Sequence, residues 1–260
     1  MEENIITFEE YKNDWLCENH DFNIDQENNY YDSTCLKLIR DLENTDLWKN
    51  LSKNLKEYDY EYKKLTNGYS LLLGNDPPSI YKKPFNSLIQ KTYRFNVINN
   101  TLWPEQPSEG WILPINWFYR INDILRTSII VKYIDGVEFL ARKITDLCGK
   151  SALYCDVKFE AKIEGYYASH IYIKKDFGIP NKYWDVEKVT CEFEIQITTQ
   201  MQELIKELLH KFYEIQRLKK VNKQWQWDYK DIEFATNYLG HIIHYLEGVI
   251  YNIRIEGELK

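Results

Sequence analysis

The chain has 260 residues, 44 % of them hydrophobic and 28 % charged, the ordinary balance of a soluble globular protein. A formal net charge of −7 and a pI near 5.4 exclude global steering toward nucleic acid, so phosphate contacts must come from a local group of Lys and Arg. The five cysteines (Cys17, Cys35, Cys148, Cys155, Cys191) are odd in number and contain no C-x-x-C pair, which excludes a disulfide framework or a cysteine zinc site and reads as reduced, cytoplasmic usage.

The N-terminus, MEENIITFEEYKND, is acidic, and no apolar run reaches the ~18 residues of a membrane span, so neither a span nor a targeting peptide is expected. Residues 1–75 read as a helical segment. Phe8, Tyr11 and Trp15 fall at helical spacing, and a second pattern runs through Leu36, Leu38, Ile39, Leu42 and Leu47, with Ser33 or Thr34 as its cap. NGYSLLLGNDPPS (67–79) carries Gly, Asp and two prolines and marks a loop or domain boundary. Residues 84–99 read as a helix opened by Pro84, and 99–117 as a Pro-, Gly- and Trp-bearing loop too long for a plain connection.

ILRTSIIVKYI (124–134) is a β-branched strand, and 135–150 an amphipathic helix ending at Gly149. Three further strands follow at 152–163, 166–175 and 188–198, the first two meeting in a hairpin at Glu164-Gly165. Helices at 200–220 and 232–255 complete the chain. The order implies an α+β fold, one mixed sheet flanked by helices, with a central domain over 76–220 between helical extensions at 1–75 and 221–260.

The strand EFEIQITTQ (192–200) alternates, with Phe193, Ile195 and Ile197 on one face and Glu192, Glu194, Gln196 and Thr198 on the other. Asp123 stands where the strand 124–134 begins. A lone Asp there is ordinarily a turn residue, and a row of strand carboxylates is ordinarily a solvated edge paired with Lys. Carboxylates converging on one sheet face repel one another unless a cation joins them, and Mg²⁺ takes such hard oxygens together with substrate phosphates. YKKPFNSLIQKTYR (81–94) places Lys83, Ser87, Lys91 and Arg94 along one side of a helix, a stripe that is either solvated or a triphosphate cradle. EGYYASHIYI (164–173) sets Tyr166, Ala168, His170 and Tyr172 on one face, a base-stacking ring beside a donor or else a core aromatic beside a surface His.

Together these segments resemble the RelA/SpoT-type synthetases, which transfer pyrophosphate from ATP to the 3′-hydroxyl of a guanosine nucleotide. KPFNSLIQK resembles the family's K-x-x-x-S-x-x-x-K segment and NDILRTSIIV its D-x-x-G-x-R strand start. GYYASH resembles G-Y-x-S-x-H and EIQITTQ resembles E-I-Q-I-R-T. The likeness covers residues 80–220 and implies a nucleotidyltransferase-like mixed-sheet core.

The resemblance further implies that Lys83 and Lys91, with Ser87 and Arg94 beside them, meet the ATP phosphates, and that Asp123 and Glu194 hold Mg²⁺ and form the catalytic pair. Tyr166 would stack on the acceptor base, His170 would hold acceptor ribose or phosphate, and Gln196 lies close by. The chain departs from the pattern at Arg126 (Gly), Ser128 (Arg), Ala168 (Ser), Thr198 (Arg) and Tyr81 (Arg), so phosphate-binding arginines are moved, with Arg126, Arg94, Arg120 and Lys132 as candidate substitutes. The acceptor stays open between a guanosine nucleotide, an adenosine nucleotide and the tRNA 3′ end, as does a non-catalytic nucleotide sensor. A second copy or an antitoxin is the expected protein partner. The His20-Asp21 pair reads as chance, and His241, His244 and Glu247 as part of a packing helix rather than a metal site.

Overall fold

The computed structural model describes residues 5–20, 22–74, 77–181, 185–216 and 226–258. The expected domain boundaries at 75/76 and 220/221, and Asp21 of the His-Asp pair, lie outside the described residues.

The N-terminal part is helical, as the spacing predicts. α1 (Phe8–Glu10), a widened turn (Tyr11–Trp15) and α2 (Leu16–His20) lead into α3 (Ile24–Glu43) and α4 (Asp46–Leu65). α3 begins nine residues before Ser33, because the Asn23 side chain accepts the Gln26 N–H at 3.1 Å. Ser33 and Thr34 therefore sit inside the helix, and Leu36 is exposed, correcting both expectations. Thr45 caps α4 and breaks the long predicted helix in two.

β1 (Tyr81–Lys82) precedes α5 (Phe85–Tyr93), which Pro84 caps, and a widened turn (Arg94–Ile98). α6 (Trp117–Arg120), β2 (Leu125–Val131) and α7 (Ile134–Lys150) follow. Gly149 lies within α7 and Ser151 caps it, with Ala152 taking the left-handed turn (φ 51°) expected at Gly149. β3 (Tyr154–Ala161) and β4 (Tyr167–Pro180) form the expected hairpin at Gly165 (φ 79°), and β5 (Val186–Thr199) runs into α8 (Gln200–Gln216) and α9 (Ile232–Glu258).

The five strands lie in the order β1-β2-β5-β4-β3, with β2 and β5 parallel and the other pairs antiparallel, a mixed α+β sheet. Register makes its two faces unlike. Leu125, Ile129, Ile171, Ile173, Phe193, Ile195 and Ile197 share a face and are at most 5 % exposed. α7 packs against β2, β3, β4 and β5. Each such side chain contributes about 1.5–3 kcal/mol on burial.

The buried Asn96 side chain ties the long 99–117 loop to the helices before it. Asn96 accepts the Ile112 N–H, donates to the Ile112 carbonyl and donates to the Tyr11 hydroxyl, all within 3.0 Å. Trp103 and Trp111 pack with Trp15 and His20, so the loop's length serves to reach the N-terminal helices. All five cysteines are free, and burial pushes the Cys35, Cys148 and Cys191 thiols up to about 12, as small apolar core residues.

α9 docks where backbone meets backbone. A Cβ at Gly240 would fall onto the carbonyl of Gly165, and one at Gly165 onto the carbonyl of Asn237. His241 Nε2 donates to the Ile163 carbonyl (2.8 Å), which leaves Nδ1 to accept the Tyr167 hydroxyl (2.7 Å), while His244 stacks on Tyr167 at 3.7 Å. These histidines pack, as the sequence suggests, and the described residues contain no group of three or more His, Cys, Asp or Glu able to hold a metal. Further along, Arg254 lies between the Tyr69 and Tyr133 rings and bonds Asp135 at 2.9 Å. Gly240→Ala is expected to lower thermal stability by about 2 kcal/mol or more and expose α9 to protease, because neither backbone can yield. Differential scanning calorimetry with limited proteolysis checks it.

Candidate active site

The other face of the sheet is polar. Register sets Arg126 beside Glu194, Ser128 and His170 beside Gln196, Tyr172 beside Glu194, and Lys158 beside His170. Glu194, Gln196 and His170 are each at most 8 % exposed, so this face is a covered floor rather than a solvated edge.

Asp123 stands two residues before β2. Its Oδ2 accepts Lys83 Nζ at 2.7 Å and its Oδ1 accepts Lys91 Nζ at 2.9 Å; Lys91 also donates to Asn122 at 3.1 Å. Burial pushes the Asp123 carboxyl up, but the Lys91 and Lys83 charges outweigh it and hold the group well below the usual carboxylate range. The effect on Lys83 is opposite in balance. Burial lowers its ammonium and Asp123 only partly restores it, with Lys91 and Arg126 adding repulsion. Lys83 is thus a poorly solvated cation held by one carboxylate, and an anion beside it would be drawn in strongly.

Lys83 reaches this place from the link between β1 and α5, not from the helix itself, which corrects the one-sided helical stripe. Its N–H bonds the Ile124 carbonyl (2.7 Å) and its carbonyl accepts the buried Tyr31 hydroxyl (2.7 Å), so α3 and β2 fix its backbone. Ser87 is half-buried on α5 between the two lysines, and Arg94 is half-buried on the turn that follows α5. Arg120 is drawn away to Glu109 in the long loop.

A second group runs along β4 and β5. His170 Nδ1 donates to Glu194 Oε1 at 2.5 Å, Tyr166 Oη meets His170 Nε2 at 2.9 Å, and Gln196 Nε2 donates to Tyr166 Oη at 2.5 Å. With Nδ1–H on the carboxylate, Nε2 of a neutral ring accepts the Tyr166 proton and the chain is satisfied throughout. Both ring nitrogens of His170 are therefore engaged within the protein. Tyr166 stands in the turn just before β4, not in the strand, and Lys162 covers its ring at 5.2 Å.

Burial raises the Tyr172 hydroxyl, and the charges of Glu194, Glu160 and Asp123 raise it further. Tyr172 and Glu160, which lies 3.6 Å from His170 Nε2, carry no motif, and only the hairpin register brings them in. Arg126 is exposed on the same face and makes no ion pair among the described residues, and Ser128 has a buried Oγ without a hydrogen-bond partner there. Tyr81, 59 % exposed, pairs with Arg126 in register.

Asp123 and Glu194 offer the hard carboxylate oxygens that suit Mg²⁺ by donor chemistry, since that ion needs only one or two protein oxygens beside phosphates and water. Both Asp123 oxygens are occupied by ammonium groups, so these residues fit an ion that arrives with a nucleotide better than a resident one.

No protein-family model and no curated protein matches the chain. Among solved structures it is similar to small alarmone synthetase 1 from Bacillus subtilis, with TM-score 0.54 and 14 % identity over 91 % of this chain and 98 % of that one. The same Bacillus subtilis protein bound to its product pppGpp gives 0.53 at 15 % identity, over 81 % and 92 % of the two chains. The protein has the small alarmone synthetase fold. A GTP pyrophosphokinase family protein from Streptococcus pneumoniae gives 0.50 at 17 % identity, over 90 % and 95 %. The likeness spans nearly the full length of these solved chains. No helix among the described residues is long and apolar enough to cross a membrane.

Proposed function

We propose that the protein transfers pyrophosphate from ATP to the 3′-hydroxyl of a guanosine nucleotide. One observation carries this reading. On a sheet of the synthetase fold, a carboxylate clamped by two lysines stands just before β2, and β5, the parallel neighbour of β2, carries a second, buried carboxylate bonded to a His that in turn meets a Tyr.

In this mechanism Lys83 and Lys91 move from Asp123 to the ATP phosphates and neutralise them, which frees Asp123. Asp123 and Glu194 would then hold Mg²⁺ with those phosphates, and the ion, when bound, supplies charge neutralisation at the transferred group. Glu194 accepts the 3′-hydroxyl proton as that oxygen attacks the β-phosphorus, and the bond to the α-phosphate oxygen breaks with release of AMP. His170 holds Glu194 by its Nδ1–H, so the carboxylate points at one place instead of sampling rotamers. Positioning and electrostatics supply most of the acceleration in such transfers.

Arg126 takes over the phosphate role that the resemblance assigns to position 128. Positions 126 and 128 lie on one face of β2 about 7 Å apart, and a long guanidinium side chain spans that difference. The residue at 128 is then a small side chain under the Arg126 stem, consistent with its unpartnered Oγ.

The deciding assay incubates the chain and Mg²⁺ with γ-labelled ATP and, in turn, GDP, GTP, ATP or deacylated tRNA. Label on GDP or GTP with stoichiometric AMP is the expected result. Label on tRNA or ATP alone reassigns the acceptor, and nucleotide binding without AMP makes the protein a sensor.

Tyr166→Ala should raise the acceptor KM about tenfold to a hundredfold, the size of one lost base–ring stack, and leave ATP binding unchanged. Tyr166→Phe keeps the ring and removes only the hydroxyl between Gln196 and His170. It should spare KM and lower kcat, a split that steady-state kinetics with both variants resolves.

A further inference from the structure

The two lysines that clamp Asp123 are held in place by different means. Lys91 stands inside α5, where the helix's own hydrogen bonds fix its backbone. Lys83 stands ahead of Pro84, between a two-residue edge strand and the helix, and belongs to neither. Its N–H is tied to the Ile124 carbonyl. Its own carbonyl accepts a buried hydroxyl, that of Tyr31 on α3, 52 residues away in the chain and 2.7 Å away in space.

Tyr31 has little freedom of its own. It is 0 % exposed, and its ring meets Phe85 of α5 at 5.7 Å and, on α6, Phe118 at 6.0 Å and Trp117 at 6.2 Å. Asp32, the next residue of α3, is ion-paired with Lys82, whose ammonium lies 5.9 Å from the Tyr31 ring. α3 thus grips two successive residues, Lys82 by its head and Lys83 by its backbone. Burial above all, with the charges of Asp123 and Asp32 behind it, raises the Tyr31 hydroxyl and keeps its proton in place, so it stays a donor to the Lys83 carbonyl.

This hold matters when Lys83 leaves Asp123 for a phosphate. Its ammonium starts 2.7 Å from Asp123 Oδ2 and reaches the phosphate by side-chain torsions alone, provided that the backbone stays where it is. Releasing the carbonyl lets the segment ahead of Pro84 shift, and a misplacement of about 1 Å costs about a hundredfold in rate. We infer that Tyr31 is a positioning residue for the pyrophosphate donor: through its hydroxyl, α3 sets where Lys83 meets the ATP phosphates. The N-terminal helices are then part of the catalytic unit rather than an extension of it. The inference rests on the reaction proposed above and names a residue that none of the four motifs contains.

Tyr31→Phe keeps the ring among Phe85, Phe118 and Trp117 and removes only the hydroxyl, so the chain should still fold, which a melting curve checks. It should lower kcat/KM for ATP about 10- to 100-fold and leave the acceptor KM unchanged. Calorimetric titration with Mg²⁺ and a non-hydrolysable ATP analogue needs no turnover and should show binding weakened about tenfold. In a Lys83→Met chain, adding Tyr31→Phe should change the analogue's affinity by less than about twofold, because the hydroxyl acts through Lys83. A hydroxyl that served packing alone would lower the melting temperature and leave the titrations unmoved. Equal binding by the parent and Tyr31→Phe overturns the inference while the proposed reaction stands, and so does the same loss in both backgrounds. A parent chain that binds no analogue overturns the reaction and the inference together.

Discussion

Glu194→Gln is expected to lower kcat for AMP release by about 10²- to 10⁴-fold while leaving ATP affinity and thermal stability close to those of the parent. The substitution is chosen for what it keeps. The amide oxygen can still accept the His170 Nδ1–H, which lies 2.5 Å from Glu194 Oε1, and the side-chain volume is unchanged at a position only 6 % exposed. What it removes is the ability to take a proton and the negative charge beside Tyr172. Rapid-quench measurement of AMP, with calorimetric ATP titration and a melting curve on the same samples, separates these effects. Unchanged turnover would remove Glu194 from the chemistry. A large loss of stability would mean that the carboxylate serves the sheet instead.

Some of this site is legible from residues alone, and some requires the register. Alternation in β5 separates Glu194 and Gln196 from Ile195 and Ile197 without any knowledge of neighbours, because successive strand side chains must point to opposite faces. The Lys83–Asp123–Lys91 group is only half legible. The lysines are eight residues apart, but Lys83 arrives from the link before α5, and the two-residue strand β1 is too short to show any period. Helix ends fail where tertiary contacts compete with local preference. Asn23, not Ser33 or Thr34, caps α3, and α7 runs through Gly149 because Ser151 closes it.

β4 extends through Asp176, Gly178 and Pro180, residues that ordinarily end strands, with β5 paired alongside. They are held there by packing. Phe177 and Ile179 are 4 % exposed, Lys37 of α3 donates to the Gly178 carbonyl and Tyr30 to the Pro180 carbonyl. Tyr172 and Glu160 have no motif, and they enter the site only because the hairpin at Gly165 sets β3 beside β4 in one register.

Asp123→Asn is expected to remove activity and also to cost about 3 kcal/mol of stability, an effect that distinguishes it from Glu194→Gln. Asp123 is the shared counter-ion of Lys83 and Lys91, whose side chains are 10 and 15 % exposed. Asparagine leaves two ammonium groups facing each other in a poorly solvated site. The cost falls short of the full penalty for an unpaired buried charge, because Lys91 keeps Asn122 at 3.1 Å and burial already weakens the hold of Lys83 on its proton. The folded-state Asp123 carboxyl is depressed, so its contribution is fully present above the unfolded value near 4 and is lost as pH falls toward the folded value. In that window the unfolded chain binds a proton that the folded chain refuses, and the parent's advantage shrinks by about 1.4 kcal/mol per pH unit. Urea denaturation of parent and variant should therefore differ by a constant amount from pH 5 to 8 and converge below about pH 4. A difference that persists unchanged into acid would mean that the stabilisation comes from packing rather than from charge. If Mg²⁺ and a non-hydrolysable ATP analogue together stabilise the parent much more than the variant, the lysines have traded Asp123 for phosphate, the exchange on which the proposed mechanism depends.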